Sequence, residues 1–361
     1  MGMIQIITKV FIMLSAIFVF LIILILFIAL FTKYKNVLIN FFRMIANRPP
    51  KFGDSFISKS RKPTLNSEVP KSISITASGT NKAKNQDDCA QTYIESMDAH
   101  IVAVADGVGS HKYAEIGSSF VVTRAIELLS DLVVRNPYNI DFEKVFEDIQ
   151  NSLNDHIQKN YTSKEELQEG SCFGTTLIIG IDLPDKFIAA YVGNGSVFNI
   201  SGYFANFPQS IYLPWNSINM LNPHTVEQDG KEALYKIFTW KGNKQDHTPT
   251  VFEIIKNKDL PGEIFVLTTD GVFSADHSVP GKDGEGAIWI PSSKTMEFLY
   301  EYLKNYMLNK DIKHDESTLE NMLNNYLQHL KETKEMFDDT TLGVIITGNC
   351  LKYFEEKRNK N

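Results

Sequence analysis

Six short apolar runs and four longer amphipathic stretches dominate this chain, and they do not alternate one for one. The runs are His100 to Ala105, Thr176 to Ile181, Phe187 to Val192, Val197 to Ile200, Ile264 to Thr268 and Leu342 to Ile346. Their length and residue types are those of buried strands. The longer stretches, Ala114 to Val134, Phe142 to Tyr161, Lys294 to Leu308 and Thr318 to Lys334, carry apolar residues at helical spacing. Helices therefore come in pairs between groups of strands. Missing strand–helix–strand alternation argues against a doubly wound nucleotide-binding sheet and for sheets packed face to face between helix pairs. From Gly202 to Pro249 the periodicity fails, and that stretch reads as an irregular lobe over one end of the sheets.

A second constraint lies at the N-terminus. Val10 to Phe31 reads VFIMLSAIFVFLIILILFIALF, with no charge and Ser15 as its one polar residue. Crossing a bilayer takes about 20 apolar residues, whereas a signal peptide has a shorter apolar region followed by a small-residue cleavage site. No clear cleavage site follows here, so a transmembrane helix over 10–31 is expected, ahead of a signal peptide or a buried helix. Only Lys9 precedes the span, while Lys33, Lys35, Arg43, Arg48 and Lys51 follow it. Positive flanks stay cytoplasmic, so a single-pass membrane protein is expected, with residues 1–9 extracytoplasmic and the folded part in the cytoplasm. Residues 32–72 form a basic juxtamembrane linker, or an irregular edge of the domain. The folded domain is expected over 73–348 and a charged tail over 349–361.

Charge and cysteine usage narrow the function. A formal net charge of -7 speaks against a nucleic-acid partner, which calls for a basic face. The three cysteines, Cys89, Cys172 and Cys350, have no CxxC spacing. Small buried thiols in a reducing compartment fit better than disulfides or a zinc site.

The chemistry is suggested by where certain aspartates stand. Asp106 follows the run IVAVA and precedes Gly107; Asp270 follows IFVLTT and precedes Gly271. Asp338 and Asp339 precede TTLGVII, and Asp87 and Asp88 lie in NQDD, a polar turn after a short strand near Ile73 to Ala77. Any one Asp-Gly is an ordinary turn. Four acids at strand ends, if they converge, would crowd like charges that oppose one another's ionisation unless cations intervene. Magnesium or manganese, hard ions with oxygen ligands, suit such a site. A pair of them can activate water and stabilise a transferring phosphoryl group.

These residues resemble the metal-dependent protein phosphatases of type 2C, in their bacterial-like form, over about Ser74 to Thr347. SGTNKAKNQDD resembles the family's opening motif, and VAVADGVGSHKYAEIGSS is similar to its Asp-Gly-x-Gly-Gly-His segment. GTT at Gly174 to Thr176, YVGNGSVFNISG, LTTDGVFS and DDTTLGVII resemble the later motifs, in the same order. The resemblance implies an α-β-β-α sandwich, an α+β fold of two central antiparallel sheets flanked by helix pairs. It implies Asp87, Asp106, Asp270 and Asp338 as catalytic residues and metal ligands, with the Gly107 carbonyl as a further ligand. Two divalent cations, Mg2+ or Mn2+, would bridge an attacking water, and no phosphoenzyme would form. The implied reaction is hydrolysis of phosphoserine or phosphothreonine in a phosphoprotein.

The sequence also departs from the family. Where the family usually has a phosphate-gripping arginine stands Lys82, which brings charge without the bidentate fork. Val108 replaces a histidine that many members carry as a proposed general acid; His111 is nearby. Two aspartates associated with a third metal are replaced at Asn194 and Ser274, and the spacing of Asp276 does not match. These departures motivate two rival readings: a membrane-tethered pseudophosphatase that binds partners without turnover, and a phosphatase for small molecules.

Overall fold

A computed structural model of the chain describes residues 71–360 apart from 80–81, 83, 162–166, 203–214, 229–230, 257, 259–260, 273–279, 284–285, 290–293, 334–335 and 337. The expected span over 10–31 and the linker up to residue 70 lie outside the described residues. Among those described, no helix is long and apolar enough to cross a membrane.

Two five-stranded antiparallel sheets form the centre. The first runs in the order β1 (Ser72–Ala77), β14 (Thr340–Ile346), β11 (Glu263–Thr268), β6 (Ser196–Ser201), β7 (Asn216–Asn219). The second runs β10 (Thr250–Ile255), β5 (Lys186–Val192), β4 (Leu177–Asp182), β3 (Ala99–Ala105), β2 (Asp88–Ile94). Two small hairpins stand apart, β8 (Thr225–Gln228) with β9 (Lys231–Leu234), and β12 (Pro280–Asp283) with β13 (Gly286–Trp289).

Side-chain alternation along the central strands builds the layers. Val102 and Val104 of β3 meet Phe265 and Leu267 of β11 between the sheets, where the rings of Phe187 and Phe265 stack at 4.0 Å. Ile101, Ala103 and Ala105 point the other way, into a core shared with helices α1 (Ala114–Arg135) and α2 (Phe142–Asn160). Ile264 and Val266 likewise turn to α3 (Lys294–Leu308), α4 (Glu316–Glu332) and α5 (Gly348–Lys360). The result is the four-layered α-β-β-α sandwich that was expected. Two helices start on aspartate caps: Asp141 accepts from the Lys144 N–H at 3.0 Å and Asp315 from the Thr318 N–H at 2.9 Å.

Three expectations need correction. The charged tail over 349–361 is largely helix α5, whose Cys350, Leu351 and Phe354 are buried in the core on the α3–α4 side. Lysines and glutamates around those few apolar residues hid the packing face. The supposed irregular lobe contributes strand β7 to a central sheet, and its Trp215, Leu221, Phe238 and Trp240 are buried. Finally, β2 and β10 are strands that the apolar runs did not reveal, because both are edge strands with partly exposed faces.

Candidate active site

Asp106 is where β3 leaves the sheet. Its backbone is fixed on both sides: its N–H donates to Thr176 Oγ1 at 2.9 Å, and its carbonyl accepts from the Thr176 N–H at 2.8 Å and from Thr175 Oγ1 at 2.9 Å. The next residue must be glycine. A Cβ on Gly107 would stand 2.6 Å from the Gln86 carbonyl oxygen, to which the Gly107 N–H donates at 3.1 Å. That contact brings the turn after β3 against the residue just before Asp87.

Asp87 is buried at the entry to β2. Its Oδ2 accepts from the hydroxyls of Thr269, at 2.7 Å, and Thr341, at 2.9 Å, while its Oδ1 is buried with no hydrogen-bond partner. Asp270 follows β11, and its Oδ2 accepts from Asn194 Nδ2 at 2.7 Å. Asp338 precedes β14 and is about half exposed; its Oδ1 faces Lys82 Nζ at 2.6 Å and accepts from the Asp339 N–H at 2.8 Å.

The acids meet at one end of the sheets. Asp106 lies close to both Asp87 and Asp270, and the charge of Asp338 reaches Asp106 and Asp270. Burial first, and then the charges of Asp87 and Asp270, push the Asp106 carboxyl well above its ordinary range. Burial likewise raises Asp87 and Asp270, against the hydrogen bonds from Thr269 and Asn194 that favour their ionised forms. Lys82 shows the complement: burial lowers its ammonium pKa, but Asp338, Asp339 and Asp106 outweigh that and raise it.

Among the described residues, no group of three or more His, Cys, Asp or Glu side chains has a metal-holding arrangement. In this arrangement the carboxylates are turned to one another and to threonine, asparagine and lysine donors. The donor set still fits a hard divalent ion in its chemistry. It is all oxygen, the acids carry more like charge than the site neutralises, and Asp87 Oδ1 is an orphaned buried acceptor.

The remaining expected residues fall around this centre. Asp88 opens β2 and caps the Cys89 N–H at 2.8 Å, outside the acid contacts. His111 packs on Gly174, where a Cβ would meet its Nδ1 at 2.0 Å, and burial lowers its pKa. Ser274 and Asp276 lie outside the described residues. Sequence reasoning missed the orienting partners: Thr176, Thr269, Thr341 and Asn194. A signal existed in the Thr-Thr pairs beside Asp270 and Asp339, since hydroxyls at strand ends next to acids are ready donors.

Residues 76–205 match the family model for protein phosphatase 2C. No curated protein matches the sequence. Among solved structures, a bacterial serine phosphatase is similar at 16% identity and a TM-score of 0.50, over 76% of this chain and 96% of that one. A sex-determining protein of C. elegans is similar at 10% identity and a TM-score of 0.51, over 79% of this chain and 66% of that one. At such identities the likeness speaks for the fold alone.

Proposed function

We propose that this chain is a phosphatase that hydrolyses phosphoserine and phosphothreonine in proteins, using two divalent cations, Mg2+ or Mn2+, held by Asp87, Asp106, the Gly107 carbonyl, Asp270 and Asp338. The observation that carries this reading is the placement of Asp106 beside both Asp87 and Asp270, with Asp338 within charge range of Asp106 and Asp270. A purely structural site gains nothing from crowding that many acids. When bound, divalent ions supply positive charge to the phosphoryl oxygens and lower the pKa of a water. The protein's own part is orientation. Thr269 and Thr341 fix Asp87, Asn194 fixes Asp270, and Lys82 offers an ammonium to the substrate phosphate at the mouth of the site.

Anchoring belongs to the same proposal. The uncharged run over 10–31 and the basic residues after it support a single-pass anchor with the catalytic domain on the cytoplasmic side. One observation favours the non-catalytic rival: the carboxylates are turned to protein donors and not to a common ion position. Hydrolysis of a phosphothreonine peptide by the full chain separates the two. Activity is expected with manganese, lost in excess chelator and restored by added metal. Activity that survives chelation contradicts the metal reading, and no turnover with either metal supports the binding module.

A further inference from the structure

Asp339 stands beside the expected ligand Asp338, yet it is only 2% exposed and turns away from the mouth of the site. Its two carboxylate oxygens are divided between two backbone amides: Oδ1 accepts from the Gly79 N–H at 3.0 Å and Oδ2 from the Gln86 N–H at 2.8 Å. Those two residues are the neck of the loop that carries Lys82. Within it, the Lys82 N–H donates to the Gly79 carbonyl at 3.3 Å, and Lys82 Nζ reaches Asp338 at 2.6 Å. Gln86 directly precedes Asp87, and its carbonyl is held by Ser118 Oγ at 2.6 Å and by the Gly107 N–H at 3.1 Å. On its other side Asp339 lies against the turn after Asp270, where a Cβ on Gly271 would come within 1.9 Å of the Asp339 carbonyl oxygen.

A buried carboxylate is costly unless hydrogen bonds satisfy it. Here both oxygens are satisfied by backbone amides from the two ends of one loop, which a shorter or neutral side chain cannot do equally. An asparagine has a single acceptor oxygen, so one of the two amides would lose its partner. We propose that Asp339 is a positioning residue: by clamping Gly79 to Gln86 it fixes the loop that aims Lys82 at the substrate phosphate. The proposal rests on the reading of Lys82 as the phosphate-holding residue and goes beyond it in naming what places that residue.

The test is a mutant cycle on the full chain with saturating manganese, measuring KM and kcat for a phosphothreonine peptide. Lys82→Ala is expected to raise KM on the order of tenfold, because ground-state binding of the dianion weakens. Asp339→Asn is expected to raise KM by a similar or smaller factor, with kcat within about twofold of the parent. The double variant is expected to be no worse than Lys82→Ala alone, since a clamp that acts through Lys82 has nothing left to place. Independent, multiplying effects overturn the proposal, as does a parental KM in Asp339→Asn or a loss confined to kcat. A parental KM in Lys82→Ala removes the phosphate reading and the clamp with it; that failure is visible in the Lys82 arm alone. Should circular dichroism show that Asp339→Asn does not fold, Asp339→Glu enters the same cycle. It keeps the charge but displaces both oxygens, and the same lack of additivity is required of it.

Discussion

Asp106 occupies the most constrained position in the site. Its backbone is tied to Thr175 and Thr176, its neighbour Gly107 abuts Gln86, and its carboxyl lies close to both Asp87 and Asp270. Asp88 is one residue from Asp87 in sequence, and its side chain accepts from the Cys89 N–H. The two acids therefore separate the ligand reading from a general need for negative charge. Asp106→Asn is expected to lower kcat on the order of 100-fold or more, the scale of losing one preorganised electrostatic group. Asp88→Asn is expected to stay within about twofold, as a change outside the contact network does. Steady-state kinetics on the two variants checks this, and equal losses would mean that the motif register is wrong.

At the scale of elements, the site depends on turns that bring strand ends within contact distance. Gly107 shows the constraint most sharply, because its Cβ position is filled by backbone atoms of Gln86 and Ala114, at 2.6 and 2.9 Å. Backbone cannot step aside as a flexible side chain can. Gly107→Ala is expected to cost about 1–3 kcal/mol of stability, read as a lower midpoint in a thermal or denaturant melt. The central strands were legible in the sequence because both of their faces are buried. β3, β5 and β11 are continuous apolar runs, and helix α3 was read with the bounds it has. Edge strands β2 and β10 and the short β7 were not legible, since their exposed faces break the run. In the site, the strand-end position of each aspartate could be read, whereas contact among them could not. That contact depends on pairing between β14 and β11 and on the crossing of the two sheets, and neither is a local property of the sequence.

The described domain, Lys71 onward, has two unlike poles. At one end of the sheets the aspartates meet; at the other, β1 begins beside the start of β3. There Lys71 pairs with Asp98 at 2.9 Å and Ser72 Oγ meets His100 Nδ1 at 2.8 Å. The described chain thus enters the domain at the pole away from the acids. His100 is buried against Tyr93, and burial depresses its pKa to about 3. An unfolded histidine titrates near 6.5, so between those values the unfolded state binds the extra proton. Its contribution is present above pH 6.5 and is lost as pH falls toward 3. The advantage of the parent over His100→Gln is therefore expected to shrink between pH 7.5 and 5, as read by thermal melts of both proteins.

On the proposed function the aspartate cluster, whose carboxyls burial raises above their ordinary range, takes up divalent ions. Calorimetric titration of the metal-free full chain with manganese, at pH 7 in two buffers of different ionisation enthalpy, tests it directly. The account predicts saturable binding with net proton release, since ligands must give up their protons to the metal, and loss of that binding in Asp106→Asn. Manganese heat without proton release, or binding that Asp106→Asn leaves unchanged, would contradict it.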